Sequence, residues 1–128
     1  MSHQELQEGL NIRPDDLVWI KNGKAHRENG PAIQHHSGYT AWYFEGEKHR
    51  LNGPAIIWPD GSQEWFVHGL RHREDGPACI ESDGSKEWWI DDVQLTEEEF
   101  NQWLEKKNLC NKLQTSLEEK PEQKKNKI

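Results

Sequence analysis

His49-Arg50-Leu51-Asn52-Gly53-Pro54-Ala55 decides how this chain is read. The same pattern stands at His26-Arg27-Glu28-Asn29-Gly30-Pro31-Ala32 and at His72-Arg73-Glu74-Asp75-Gly76-Pro77-Ala78, in steps of 23 residues. Other residues keep that step: Trp19, Trp42, Trp65 and Trp88; Gly23, Gly46 and Gly69; Gly38, Gly61 and Gly84. A fixed step of this length means one supersecondary unit copied along the chain, so fold and function are argued from the unit.

Outward from the middle copy, Trp42-Tyr43-Phe44 is a β-rich run followed by Gly46 and a polar loop through Asn52-Gly53. Pro54 to Trp58 forms a second run, and Asp60-Gly61 turns the chain back into Glu64-Trp65-Phe66-Val67. Aromatic and β-branched runs bounded by Asn-Gly and Asp-Gly signal hairpins, because those pairs tolerate the positive φ of primed turns. Proline after glycine suits the first position of a strand. The expectation is an all-β fold, an antiparallel meander of about seven strands near 17–21, 31–36, 39–44, 54–58, 63–67, 77–81 and 86–90. The Trp column is expected to face the core. The next column, Ile20, Tyr43, Phe66 and Trp89, is apolar as well, and successive strand residues point to opposite faces. Either the sheet folds over on itself, then, or an aromatic face is left for a partner.

Both ends depart from the unit. In residues 1–16, Ser2 and Glu5 have capping-box spacing for a short helix ending near Gly9, and Pro14 stops any helix. After Ile90 the fourth copy has Asp92 where the others have Gly, and its His-Arg loop gives way to Leu95-Thr96-Glu97-Glu98-Glu99-Phe100. Thr96 with Glu99 predicts a helix start, and Phe100, Trp103, Leu104 and Lys107 share one face. A helix over 96–109 is expected to cap the array of residues 17–95, since a repeat array needs its last edge covered. Residues 110–128 read as a flexible charged tail.

Of the 128 residues, 32% are apolar and 30% charged, yet seven are Trp, so burial has to come from a few large aromatic side chains. Net charge is −7; five Lys and three Glu from Asn111 onward leave −9 for residues 1–110. That balance disfavours nucleic acid, whose binders displace counterions with Lys and Arg, and an anionic membrane surface. Cys79 lies in a column filled elsewhere by Ile33 and Ile56, and reads as a small buried apolar residue. With no secretory signal and no long apolar run, the expected setting is cytoplasmic, the host cytoplasm for a viral protein.

Trp42-Tyr43-Phe44-Glu45-Gly46-Glu47-Lys48-His49 resembles the MORN repeat and its shorter bacterial variant. The His-Arg-x-x-Gly-Pro-Ala loop, with Asp-Gly and the closing Leu-Thr-Glu-Glu-Glu-Phe segment, resembles more closely uncharacterised repeat proteins of tailed-phage and large-virus genomes. The likeness spans roughly residues 17–104 and departs from the usual MORN unit where Arg, not Gly, follows His. It implies a β-hairpin array used for binding rather than catalysis. A phage origin would point to an inhibitor or modulator of a host protein, such as a defence protein.

Side chains in register at two strands per unit lie about 9–10 Å apart, twice the strand spacing. His26, His49 and His72 therefore cannot share one metal ion, and no metal or cofactor is expected. These histidines, with Trp19, Trp42, Trp65 and Trp88, are read as structural. The structural reading of the arginines is an ion pair with Glu28, Glu74 or a neighbouring carboxylate. Their functional reading is a rail along one edge, Arg27, Arg50 and Arg73, suited to an acidic strip on a protein partner or to separate phosphates of a nucleotide. Tyr43, Phe66 and Trp89 form the candidate aromatic contact stripe. No catalytic residues are assigned, because a ladder spreads like groups apart whereas catalysis needs unlike groups to converge. The expected function is a non-enzymatic protein-interaction module, with homo-oligomers through sheet edges as a further option. The alternatives are a nucleotide or signal-molecule binder and a structural component of an assembly.

Overall fold

The computed structural model describes residues 8–126, with side chains as far as Ser116. Over these the chain forms fourteen short strands and one helix, a mostly antiparallel β meander followed by a C-terminal helix. It divides into two compact units, one ending at Leu95 and the other beginning at Thr96. No helix in the described residues is long and apolar enough to cross a membrane.

The strands are β1 (Gly9–Ile12), β2 (Asp16–Lys21), β3 (Lys24–Ala25), β4 (Ile33–His35), β5 (Thr40–Ala41), β6 (Tyr43–Phe44) and β7 (Glu47–Lys48). There follow β8 (Ile56–Ile57), β9 (Gln63–Glu64), β10 (Phe66–Val67), β11 (Leu70–Arg71), β12 (Cys79–Ile80), β13 (Lys86–Ile90) and β14 (Val93–Leu95). The main sheet runs β1-β2-β4-β5-β8-β9-β12-β13-β14, with β3 paired to β2. Hairpins β6-β7 and β10-β11 stand apart as small sheets.

Of the seven strands expected from the sequence, 17–21 and 86–90 are present at full length in β2 and β13, 31–36, 54–58 and 77–81 are shorter, and 39–44 and 63–67 are each split in two, at Trp42 and Trp65. Trp42 donates its N–H to the Ala55 carbonyl at 2.6 Å, while its own carbonyl accepts from His49 N–H at 3.1 Å. One half of the peptide pairs with the main sheet and the other with the following hairpin. Trp65 divides its bonds in the same way, between Ala78 and His72, and Trp19 between Ala32 and His26. At these corners the chain leaves the meander to make a second, two-residue hairpin. Those hairpins carry the primed turns: Asn22-Gly23, Glu45-Gly46, His68-Gly69 and Asp91-Asp92 are all at positive φ.

A primed turn expected at Asn52-Gly53 and at Asp60-Gly61 is found at neither, although Asp60-Gly61 does lie in a hairpin loop between β8 and β9. Gly53 of Asn52-Gly53 is not among the positive-φ residues. Pro59-Asp60-Gly61 is instead a three-residue loop, with Trp58 N–H bonded to the Ser62 carbonyl and Gly61 N–H to the Trp58 carbonyl. Asp60 Oδ1 accepts from Ser62 N–H at 2.8 Å, which holds that carboxyl below its usual pKa.

The core forms where the second hairpins fold onto the meander. Val18, Ile33, Ala41 and Ile56 are register partners across the sheet on one face. Ala41, Ala55, Ile56 and Phe66 make the central cluster, with Ile33, Tyr39, Trp42 and Tyr43 packed on it. Ala32, Ala55 and Ala78, the last letter of each motif, have no exposed surface. Cys79 is buried and its thiol is pushed up to about 11, chiefly by that burial, so it behaves as an inert apolar side chain.

At the N-terminus, most of the expected Ser2–Gly9 helix lies outside the described residues. Where the description begins, the chain is strand: β1 pairs with β2 from Gly9↔Ile20 to Ile12↔Leu17. Leu10 and Ile12 alternate with polar neighbours as a strand requires, and a turn closed by Arg13 N–H to the Asp16 carbonyl follows. At the other end the helix α1 (Glu97–Asn126) runs well past residue 109 into the segment read as a tail. No Gly or Pro lies between Thr96 and Lys120 to stop it. Its start is a reciprocal capping box: Thr96 N–H to Glu99 Oε1 at 2.8 Å and Glu99 N–H to Thr96 Oγ1 at 3.1 Å. Phe100 and Trp103 stack at 6.0 Å, and Lys107 lies over the Trp103 ring.

Candidate functional site

Each letter of the seven-residue motif has a job that can be read from its contacts. The arginine guanidinium lies flat on the tryptophan eight residues earlier: Arg27 on Trp19 at 3.8 Å, Arg50 on Trp42 at 4.0 Å, Arg73 on Trp65 at 3.9 Å. Its Nη1 donates to the carbonyl of the motif proline, at 3.3, 3.1 and 3.1 Å for Pro31, Pro54 and Pro77. The motif glycine passes so close that a Cβ there would sit 2.7 Å from Arg27 Cζ, 2.7 Å from Arg50 Cζ and 3.0 Å from Arg73 Cζ. Stack, hydrogen bond and glycine make one latch, in which the cation covers an aromatic face and cinches its own loop.

The histidine ties one copy to the next. His26 Nδ1 accepts from Glu45 N–H at 2.9 Å, His49 Nδ1 from His68 N–H at 2.9 Å and His72 Nδ1 from Asp91 N–H at 3.0 Å. Each donor is the first positive-φ residue of the next hairpin turn, a conformation that costs a non-glycine residue about 1–2 kcal/mol. The bond across copies holds that residue in place. In the first copy, Glu8 Oε1 accepts from Asn22 N–H at 2.5 Å.

The structure gives the sequence-predicted residues different surroundings. The Trp rings are half-buried: Trp42 packs on the central cluster, and Trp19, Trp42 and Trp65 each carry a guanidinium on one face. Phe66 is 6% exposed, inside the central cluster. Tyr43 packs against that cluster, and the Trp89 indole donates to Glu87 Oε1 at 3.0 Å beneath Arg71. Tyr43, Phe66 and Trp89 therefore do not form an open contact stripe, because Phe66 at its centre is buried and Tyr43 packs beside it. Glu28 and Glu74 approach the histidines rather than the arginines: His26 Nε2 is 3.8 Å from Glu28 and His72 Nε2 is 2.8 Å from Glu74. Among the described residues, no group of three or more His, Cys, Asp or Glu is placed to hold a metal ion.

What the structure does bring together is Arg27 and Arg50. They line one cleft of about 560 Å³ with Glu28, Asn29, Trp42, Phe44, His49, Leu51 and Asn52. Leu51 stands 74% exposed at a position held by Glu28 and Glu74 in the flanking copies. Arg73 is neutralised, its Nε 2.8 Å from Asp75 Oδ1; Asn29 and Asn52 occupy the corresponding positions, and among the described residues neither Arg27 nor Arg50 has a carboxylate within ion-pair distance. On the floor, burial and the neighbouring His68 ring, 4.2 Å away, hold the His49 imidazole below its usual pKa. Leu51, Asn29 and Asn52 were not singled out from the sequence. Their signal was there: they are the letters that change inside an otherwise repeated motif.

Against known proteins, no family model, curated protein or solved structure matches this chain.

Proposed function

We propose that the chain is a MORN-like array of hairpin repeats serving as a non-enzymatic protein-interaction module. On its resemblance to phage and large-virus repeat proteins, we read it as an inhibitor or modulator of a host protein, acting in the host cytoplasm. One observation carries the binding surface: Arg27 and Arg50 line one cleft with no ion-pair partner among the described residues, flanked by exposed Leu51. Charges left unpaired beside an exposed apolar side chain suit recognition, since arginine and desolvated apolar contacts dominate interface energetics. A nucleotide is less well served. The aromatic faces that would stack a base are in use, Trp42 by Arg50 and Phe44 by His49 at 5.9 Å. The motif's histidines and arginines are committed to the latches, which favours holding a partner over transforming a substrate.

Leu51→Glu tests the assignment. It gives the middle loop the residue its neighbours carry, so the fold is expected to persist by circular dichroism. Affinity capture from host lysate should then recover a partner with the wild-type chain and lose it with the variant. Equal capture by both, or none by either, would contradict the reading.

A further inference from the structure

We propose that the cleft between the first two motif loops holds an acidic segment of a partner protein, with one carboxylate on the open edge of each guanidinium and an apolar side chain against Leu51. This rests on the interaction-module reading and names the chemistry of its partner.

The molecule itself supplies the precedent. All three motif arginines spend Nη1 on the proline carbonyl and one face on tryptophan. What differs is the Nε edge. At Arg73 that edge takes a carboxylate, Asp75 Oδ1 at 2.8 Å. At Arg27 and Arg50 the corresponding side chains are Asn29 and Asn52, close to Asp in shape but without the charge. The third copy is thus filled from within, and among the described residues no carboxylate meets the same edge of the first two. A carboxylate from outside would complete there the arrangement that Asp75 completes in the third copy, as a charge-assisted hydrogen bond to a cation already oriented by its stack.

Two further features narrow the class. Leu51 replaces a glutamate that would repel an acidic segment, and it adds apolar surface where the segment would pass. Glu28 remains on the rim, so a phosphate dianion would meet more repulsion than a carboxylate. The chain's net charge of −7 does not exclude an acidic partner, because fields from exposed charges are screened over about 8 Å at physiological ionic strength. Two guanidiniums against one carboxylate set the local sign.

The test is fluorescence anisotropy with a fluorescein-labelled glutamate/leucine peptide, on the wild type and on the double variant Asn29→Asp/Asn52→Asp. The substitutions reproduce the third copy, so circular dichroism should show the fold intact, while peptide affinity falls by about tenfold or more as the new carboxylates occupy the arginines. Leu51→Glu, which alters no latch contact, should weaken binding in the same direction. Equal binding by all three proteins would move the site elsewhere and overturn the proposal. So would failure of the wild type to bind the peptide, including the case where inorganic phosphate or ATP raises its melting temperature instead. If lysate capture succeeds equally with wild type and the double variant, the interaction module stands and only the acidic cleft falls.

Discussion

Gly53 shows how closely chemistry and geometry are tied at a single residue. Its φ is ordinary, so the demand for glycine comes from the guanidinium of Arg50 lying where a methyl group would go. Gly53→Ala should push Arg50 off Trp42 and break its bond to the Pro54 carbonyl. Losing a cation–π contact and a charge-assisted hydrogen bond predicts a destabilisation of about 2 kcal/mol, read from the urea midpoint. Leu51→Ala, two residues away, should leave the midpoint unchanged, since that side chain is largely exposed. His49 makes a second prediction. Its folded pKa lies below the unfolded value because burial, then His68, disfavours the imidazolium. The unfolded chain binds the extra proton first, so this contribution to stability is full above the unfolded pKa of about 6.5 and is lost as pH falls through the window below it. Histidine ring-proton NMR titration should place His49 below the free imidazole; a value above it would contradict the burial and proximity seen here.

The four primed turns carry unequal sequences on one backbone. Asn22-Gly23 is the pair that suits a type I′ turn, whereas Glu45, His68 and Asp91 hold positive φ with less tolerant side chains. Those last three turns are each tied back to a preceding histidine. Glu45→Asn copies the first turn into the second and keeps the backbone N–H that His26 receives. It should raise stability by about 0.5–1 kcal/mol, seen as a higher melting temperature. A lower one would mean that the Glu45 side chain, exposed in the structure, supports the turn in some other way. The turns also mark the limit of pattern reading. A run such as 39–44 has the composition of one strand, and composition cannot show that Trp42 sends its N–H to one neighbour and its carbonyl to another. Strands of two residues fall below any period that residue types can display, so the second row of hairpins was not visible beforehand.

For the molecule as a whole, the repeated runs and turn residues were enough to expect an antiparallel meander, and Thr96 with Glu99 to expect the helix that follows, because turn residues and a capping box are local chemistry. It also gave good reason to read the histidines as scaffold, since what every copy carries is usually what every copy needs. The proposed binding surface was harder to see. It depends on which arginine has a carboxylate beside it, and a search for what repeats passes over Asn29, Leu51 and Asn52, where the motif varies. The inward turn of Phe66 and the cleft between Arg27 and Arg50 are tertiary facts with no local signature.

The central claim is that each copy is fastened to the next through an unprotonated histidine Nδ1. A long-range 1H–15N correlation of the imidazoles at about pH 8 tests it directly, because it distinguishes the two neutral tautomers. His26, His49 and His72 should all carry their proton on Nε2 and show a pyridine-like Nδ1. Protons on Nδ1, or the averaged signals of freely exchanging rings, would contradict it.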